Sequence, residues 1–173
     1  MELRRTLNGA AAGAAAAAAW AAQQPLDKRL FDCSYDDVEL LGKLATRDSG
    51  WPAAGLALHL QNGALFGALY AHLRPFLPGP PVLRGALAGL AEHAGLWPLV
   101  RLTDRYHPAR KELPALAGSR RALLQATWRH LLFGAVLGEL ERRLNPQDEF
   151  EPPGVPVSSN GQGDIERAAV ATA

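Results

Sequence analysis

The chain has 173 residues, a length suited to one domain, with a net charge of +1 and a mean hydropathy of -0.07. It holds 32 Ala and 29 Leu but a single Ile, a composition that favours helix over sheet. Eighteen basic against 17 acidic residues leave no electrostatic footprint for nucleic acid, and the lone Cys33 excludes an internal disulfide and a Cys-based zinc cluster.

The hydrophobicity is segmental. No charged residue occurs from Thr6 to Leu26, nor from Ser49 to Leu73. Each run exceeds the roughly 20 residues that a helix needs to cross a bilayer core. Gly85 to Val100 is interrupted only by Glu92, and Ala122 to Gly138 only by Arg129. These runs predict four transmembrane helices, at 6–24, 52–73, 82–101 and 121–141.

The first predicted helix is mostly alanine. Arg4 and Arg5 precede it, and Ala19-Trp20-Ala21 has the layout of a signal-peptide cleavage site. The repeat described below argues instead that this helix stays in the mature protein. The connection from Pro25 to Gly50 carries a short helix that starts in capping-box style at Ser34-x-x-Asp37, with Val38, Leu41 and Ala45 on one face. That helix is expected at the membrane surface. Asp32, Asp36, Asp37 and Glu39 around it fit a solvated face and helix N-terminal charge better than a cation site.

The second helix contains His59-Leu60-Gln61-Asn62-Gly63-Ala64-Leu65-Phe66-Gly67-Ala68-Leu69, and the fourth His130-Leu131-Leu132-Phe133-Gly134-Ala135-Val136-Leu137-Gly138-Glu139-Leu140. Both read H-L-x-x-G-A-x-x-G-x-L. Gly9, Gly13 and Trp20 in the first helix parallel Gly85, Gly89 and Trp97 in the third. The chain therefore reads as two similar helical hairpins. Residues four apart share a helix face, so Gly55, His59, Gly63 and Gly67 form one stripe. Gly85, Gly89 and His93 form a second, His130, Gly134 and Gly138 a third, and Gly9 and Gly13 begin a fourth. These faces are expected to pack closely and to meet at the centre of the bundle.

His59, Asn62, Glu92, His93, Arg129 and His130 then form a candidate polar cluster at membrane depth. Glu92 and Arg129, on consecutive helices, are expected to pair. The cluster reads most simply as interhelical hydrogen bonding; a metal site of three histidines and a carboxylate is the sharper alternative. No spacing typical of a metal site, nucleotide-binding loop or catalytic nucleophile occurs, so no catalytic residue, metal ligand or cofactor is assigned. His72 and His107 read as interface residues near helix ends. Trp20, Trp51, Tyr70 and Trp97 read as interfacial anchors.

After Asn145-Pro146 the composition turns rich in Pro, Gly, Ser and acid, so residues 1–145 are expected to form the helical domain and 146–173 a disordered tail. The Lys and Arg balance tilts the two long loops toward the cytoplasm.

Three stretches carry a resemblance: Gln24-Pro25-Leu26-Asp27 through Tyr35-Asp36-Asp37-Val38-Glu39-Leu40-Leu41-Gly42, His59 to Gly67, and His130 to Arg142. They resemble uncharacterised small membrane proteins of actinobacteria over about residues 5–145. The glycine-striped helices are loosely similar to the YagU-like inner-membrane proteins. The resemblance implies an all-α, four-helix, multi-pass protein of the cytoplasmic membrane, and no activity. The functional expectation is a non-enzymatic accessory or assembly protein with the lipid bilayer, a second copy or other membrane proteins as partners. The alternatives are a small channel or transporter with a polar path through the cluster, a membrane-embedded metal-binding protein, and a soluble helical bundle.

Overall fold

The computed structural model describes residues 2–146; the predicted tail falls almost wholly outside the described residues. Its helices are α1 (Glu2–Leu30), α2 (Asp37–Ala45), α3 (Trp51–Leu73), α4 (Pro81–Leu96), α5 (Val100–Tyr106) and α6 (Arg120–Leu144). Tight 3-10 turns follow α3 at Arg74–Phe76 and α4 at Trp97–Leu99. Among the described residues there is no strand. The boundaries differ from expectation mainly at two places. Pro25 lies inside α1, which runs six residues past the expected end at 24. The third predicted helix stops at Leu96, where Pro98 tightens the chain into the turn before α5. The N-cap of α2 is Asp36 rather than Ser34: its carboxylate accepts the Glu39 amide at 2.9 Å.

The transmembrane expectation is overturned. Among the described residues no helix is long and apolar enough to cross a membrane, which points against a multi-pass location in the cytoplasmic membrane. The physical reasons differ by helix. α1 is charge-free in its middle, but alanine is only weakly apolar. α3 is diluted by its glycines and by His59, Gln61 and Asn62. The 16 residues of α4 span about 24 Å at 1.5 Å per residue, short of a bilayer core. α6 carries Arg120, Arg121, Arg129, Glu139 and Glu141. A charge-free run is not the same thing as a strongly apolar one.

The helices form a row. α1 packs antiparallel between α3 and α6, α4 packs antiparallel on the far side of α6, and α2 lies on the N-terminal half of α3. The core joins three alanines, Ala12, Ala16 and Ala17, to the larger Trp20, Tyr70, Phe133 and Leu137, while leucines such as Leu65 and Leu69 of α3 face outward.

The glycine stripes do not meet at one centre. They meet in pairs within each hairpin, α1 on α3 and α4 on α6. A Cβ built on Gly13 would stand 2.0 Å from the Gly63 carbonyl oxygen, and one on Gly85 2.0 Å from that of Gly134. A Cβ on Gly67 would stand 2.2 Å from the Gly9 oxygen, and one on Gly138 2.1 Å from the Pro81 oxygen. Gly9 and Gly89 are equally tight, each 2.5 Å from a carbonyl oxygen, of Gly67 and His130 respectively. Gly55 serves a different contact, against the Val38 carbonyl of α2. By these contacts Gly9 and Gly13 correspond to Pro81 and Gly85, one helical turn away from the correspondence that matching the glycines alone suggests.

Candidate ligand-binding groove

α1 and α6 lie side by side, whereas α3 and α4 stand apart on either side of them. A groove of about 290 Å3 runs between α3 and α4, with α1 and α6 as its floor and α2 and the turn after α4 closing one end. Five residues of the expected cluster line it: His59 and Asn62 from α3, Glu92 and His93 from α4, and His130 from α6. Phe66, Leu96, Trp97, Leu99 and Leu40 supply apolar wall. The groove follows from the stripes. Glycine-mediated contact draws α3 onto α1 and α4 onto α6. His59, His93 and His130, which continue the stripes of α3, α4 and α6, then lie beside the junction of the two hairpins.

Trp20 is the hub of the floor. Its ring meets His59 edge-on at a centroid distance of 5.1 Å, His130 at 4.7 Å and Phe133 at 6.1 Å. Its Nε1 donates to Asp37 Oδ2 at 3.2 Å. Expected as an interfacial anchor, Trp20 is instead buried.

The three imidazoles have distinct states. His130 Nδ1 faces the Ala126 carbonyl at 2.7 Å and its Nε2 faces Glu92 Oε2 at 3.1 Å. Two acceptors on one ring favour the imidazolium. Burial pushes this imidazole down, but the Glu92 carboxylate and the Ala126 carbonyl outweigh that and hold it above its ordinary value. His59 donates from Nε2 to the Ala17 carbonyl at 3.2 Å, and burial lowers its basicity. His93 lies with its ring centroid 4.6 Å from that of His130. Burial first, and then the neighbouring His130 charge, lower it. The Thr127 hydroxyl donates to the Leu123 carbonyl at 2.7 Å, so its oxygen accepts from His93 Nε2 at 3.0 Å.

Arg129, the sixth residue of the expected cluster, is not in the groove and does not pair with Glu92. It is fully buried behind the floor. There its guanidinium makes a two-pronged contact with Asp27, Nε to Oδ2 at 2.7 Å and Nη2 to Oδ1 at 2.6 Å. Nη1 donates to Asp37 Oδ2 at 2.7 Å and Nη2 also to the Tyr35 carbonyl at 3.0 Å. Burial lowers the guanidinium, but Asp27 and Asp37 outweigh it, so the charge is secure. Gln125 adds a donor to Asp27 Oδ1 at 2.7 Å. The correction has a geometric cause. His130, one residue further along α6, points toward α4 and takes Glu92, while Arg129 points toward α1 and takes Asp27.

Asp27, Tyr35, Asp37 and Trp20 are functional neighbours that the sequence reading missed. One signal was present for two of them. Gly9, Gly13, Trp20 and Asp27 continue one buried face of α1 together with Ala16, Ala17 and Gln24.

Asp36 pairs with Lys28 and caps α2, and Asp37 serves Arg129. Among the described residues no three His, Cys, Asp or Glu side chains are grouped to hold a metal ion, so the metal alternative loses its geometric basis. His107 is buried, with Nε2 against the Leu40 carbonyl, and His72 bonds to Thr6. Comparison with protein-family models, with curated proteins and with solved structures finds no match to this chain.

Proposed function

We propose that this chain is a helical-bundle binding protein that holds a small, mainly apolar molecule in the groove between α3 and α4. The observation that carries this reading is the groove itself. Its volume of about 290 Å3 is close to the lower end of typical ligand sites. Apolar and aromatic walls surround a few polar groups that converge from three separate helices, the usual composition of a small-molecule site. A dry cavity of about 150 Å3 accommodates benzene, so this one suits a bicyclic ligand. The accessory role expected from the sequence narrows, in this reading, to binding and presenting such a molecule.

Calorimetric titration of the full chain with 3-ethylindole, an uncharged bicyclic probe, tests the proposal. Saturable binding at one site is expected. Asn62 is exposed at the α3 rim, so Asn62→Trp should fill the groove, leave the fold intact and abolish the heat. Absence of saturable binding to the unmodified chain, or full binding to the Asn62→Trp variant, would overturn the proposal.

A further inference from the structure

The polar atoms of the groove can be sorted by what they already hold. Asp37 is committed: Oδ1 accepts from the Tyr35 hydroxyl, and Oδ2 from Trp20 and Arg129. His130 is committed at both ring nitrogens. His59 and His93 each use Nε2–H, the first on a carbonyl and the second on a hydroxyl oxygen whose own proton is spent elsewhere. In a neutral ring the nitrogen left over, Nδ1, is an acceptor. Glu92 gives Oε2 to His130, and its second oxygen carries no partner among the described residues. Among the carboxylate and imidazole groups of the wall, the atoms left for a ligand are therefore acceptors; the Asn62 amide, the Trp97 indole N–H and the Thr103 hydroxyl are the neutral polar groups beside them.

The charges point the same way. Three carboxylates, Asp27, Asp37 and Glu92, face or back the groove. Arg129 and a protonated His130 offset two of them, and Lys28 with Asp36 cancels at the edge. One negative charge remains in excess beside a partly desolvated cavity. Such a site attracts a cation and repels an anion.

We infer that the natural ligand of the groove is a small primary ammonium with an apolar or aromatic body, whose N–H donors are received by the open carboxylate oxygen of Glu92. This rests on the groove being a binding site, as proposed above. The body lies among Phe66, Leu96 and Trp97, and the ammonium supplies the positive charge that the wall lacks and donors to the open Glu92 oxygen. Glu92 suits this role because it sits at the rim with about a third of its side chain open, held in place by His130.

The test compares three probes of one shape on the unmodified chain near neutral pH: tryptamine, 3-ethylindole and indole-3-propionate. Tryptamine should bind about tenfold tighter than the uncharged probe, and the acid about tenfold weaker, each step being about 1.4 kcal/mol. Glu92→Gln should cut the preference for tryptamine over 3-ethylindole by about tenfold. The ordering on the unmodified chain needs no variant to fold. If 3-ethylindole binds as tightly as tryptamine, or the acid binds best, the cation inference is wrong and the groove reading stands. If none of the three binds, the groove reading itself fails.

Discussion

Among the described residues two arginines are buried, and they are used differently. Arg74, in the turn after α3, pairs with Glu141 of α6, and donates to the Asn145 carbonyl at 3.2 Å. Asn145 also receives Asn8 of α1 at 3.0 Å, so the cluster stitches three chain segments at one end of the bundle. Arg129 lies twelve residues before Glu141 on α6, about 18 Å along the axis, and meets two carboxylates, Asp27 and Asp37. The first cluster lies at the end of the bundle, away from the groove. The second sits directly behind the groove, tying α6 to α1 and to the start of α2, and leaves carboxylate charge in excess. Buried ion pairs are weak evidence of net stabilisation, because desolvation offsets much of the attraction. Their use here is positional. One fixes the helix ends, and the other fixes the groove floor and its charge.

The largest effects are expected from deleting one member of each buried arginine cluster. Arg129→Met should cost about 3–5 kcal/mol in chemical unfolding, because it strands Asp27 and Asp37 without their cation. Glu141→Gln should cost stability of a similar order, about 3 kcal/mol, yet leave binding of the uncharged indole probe unchanged. A change in that affinity with Glu141→Gln would show that the two ends are not separate.

A smaller effect is expected where the hairpins close. Gly13→Ala and Gly85→Ala each place a methyl group 2.0 Å from a backbone oxygen, and backbone cannot swing aside. Each should cost about 1–3 kcal/mol in unfolding free energy, and the two costs should be alike, since the contacts are alike. Gly95, with nothing within 4 Å of a Cβ, should accept alanine without loss.

The smallest effects are in titration. By histidine NMR, His59 and His93 should titrate below the ordinary imidazole value and His130 above it. The stability consequences have opposite signs. His59 and His93 favour the folded state while neutral, so their contribution is lost as the pH falls below about 6.5 through their folded values. The contribution of His130, faced by Glu92, His93 and Asp37, is complete below about 6.5 and is lost as the pH rises through its raised value.

The four long helices, the second of them within a residue of 52–73, were legible from charge-free runs and stripe spacing. So was the similarity of the hairpins, because glycines four apart have one geometric use wherever they recur. The environment of the helices was not legible. Absence of charge from Thr6 to Leu26 does not say what the segment packs on: one face, with Gly9, Gly13, Ala16 and Ala17, is buried against other helices, while Leu7, Ala15 and Leu26 stay exposed. Nor were the partners of Arg129 legible: Asp27 is 102 residues away in the chain and Asp37 is 92. Spacing rules describe a single helix, and nothing in them decides between two acids on different elements. Glu92 and His130 fell into the same group of polar residues, but which of His130 and Arg129 faces Glu92 depends on the rotation of α6, set by Gly134 and Gly138 against α4.

The most direct test of the groove is to locate a ligand in it. Intermolecular NMR contacts between 3-ethylindole and the full chain should fall on Phe66, Leu96 and Trp97, which face each other across the groove from α3 and the end of α4. Contacts confined to outward leucines such as Leu65 and Leu69, with none to these three, would contradict the account.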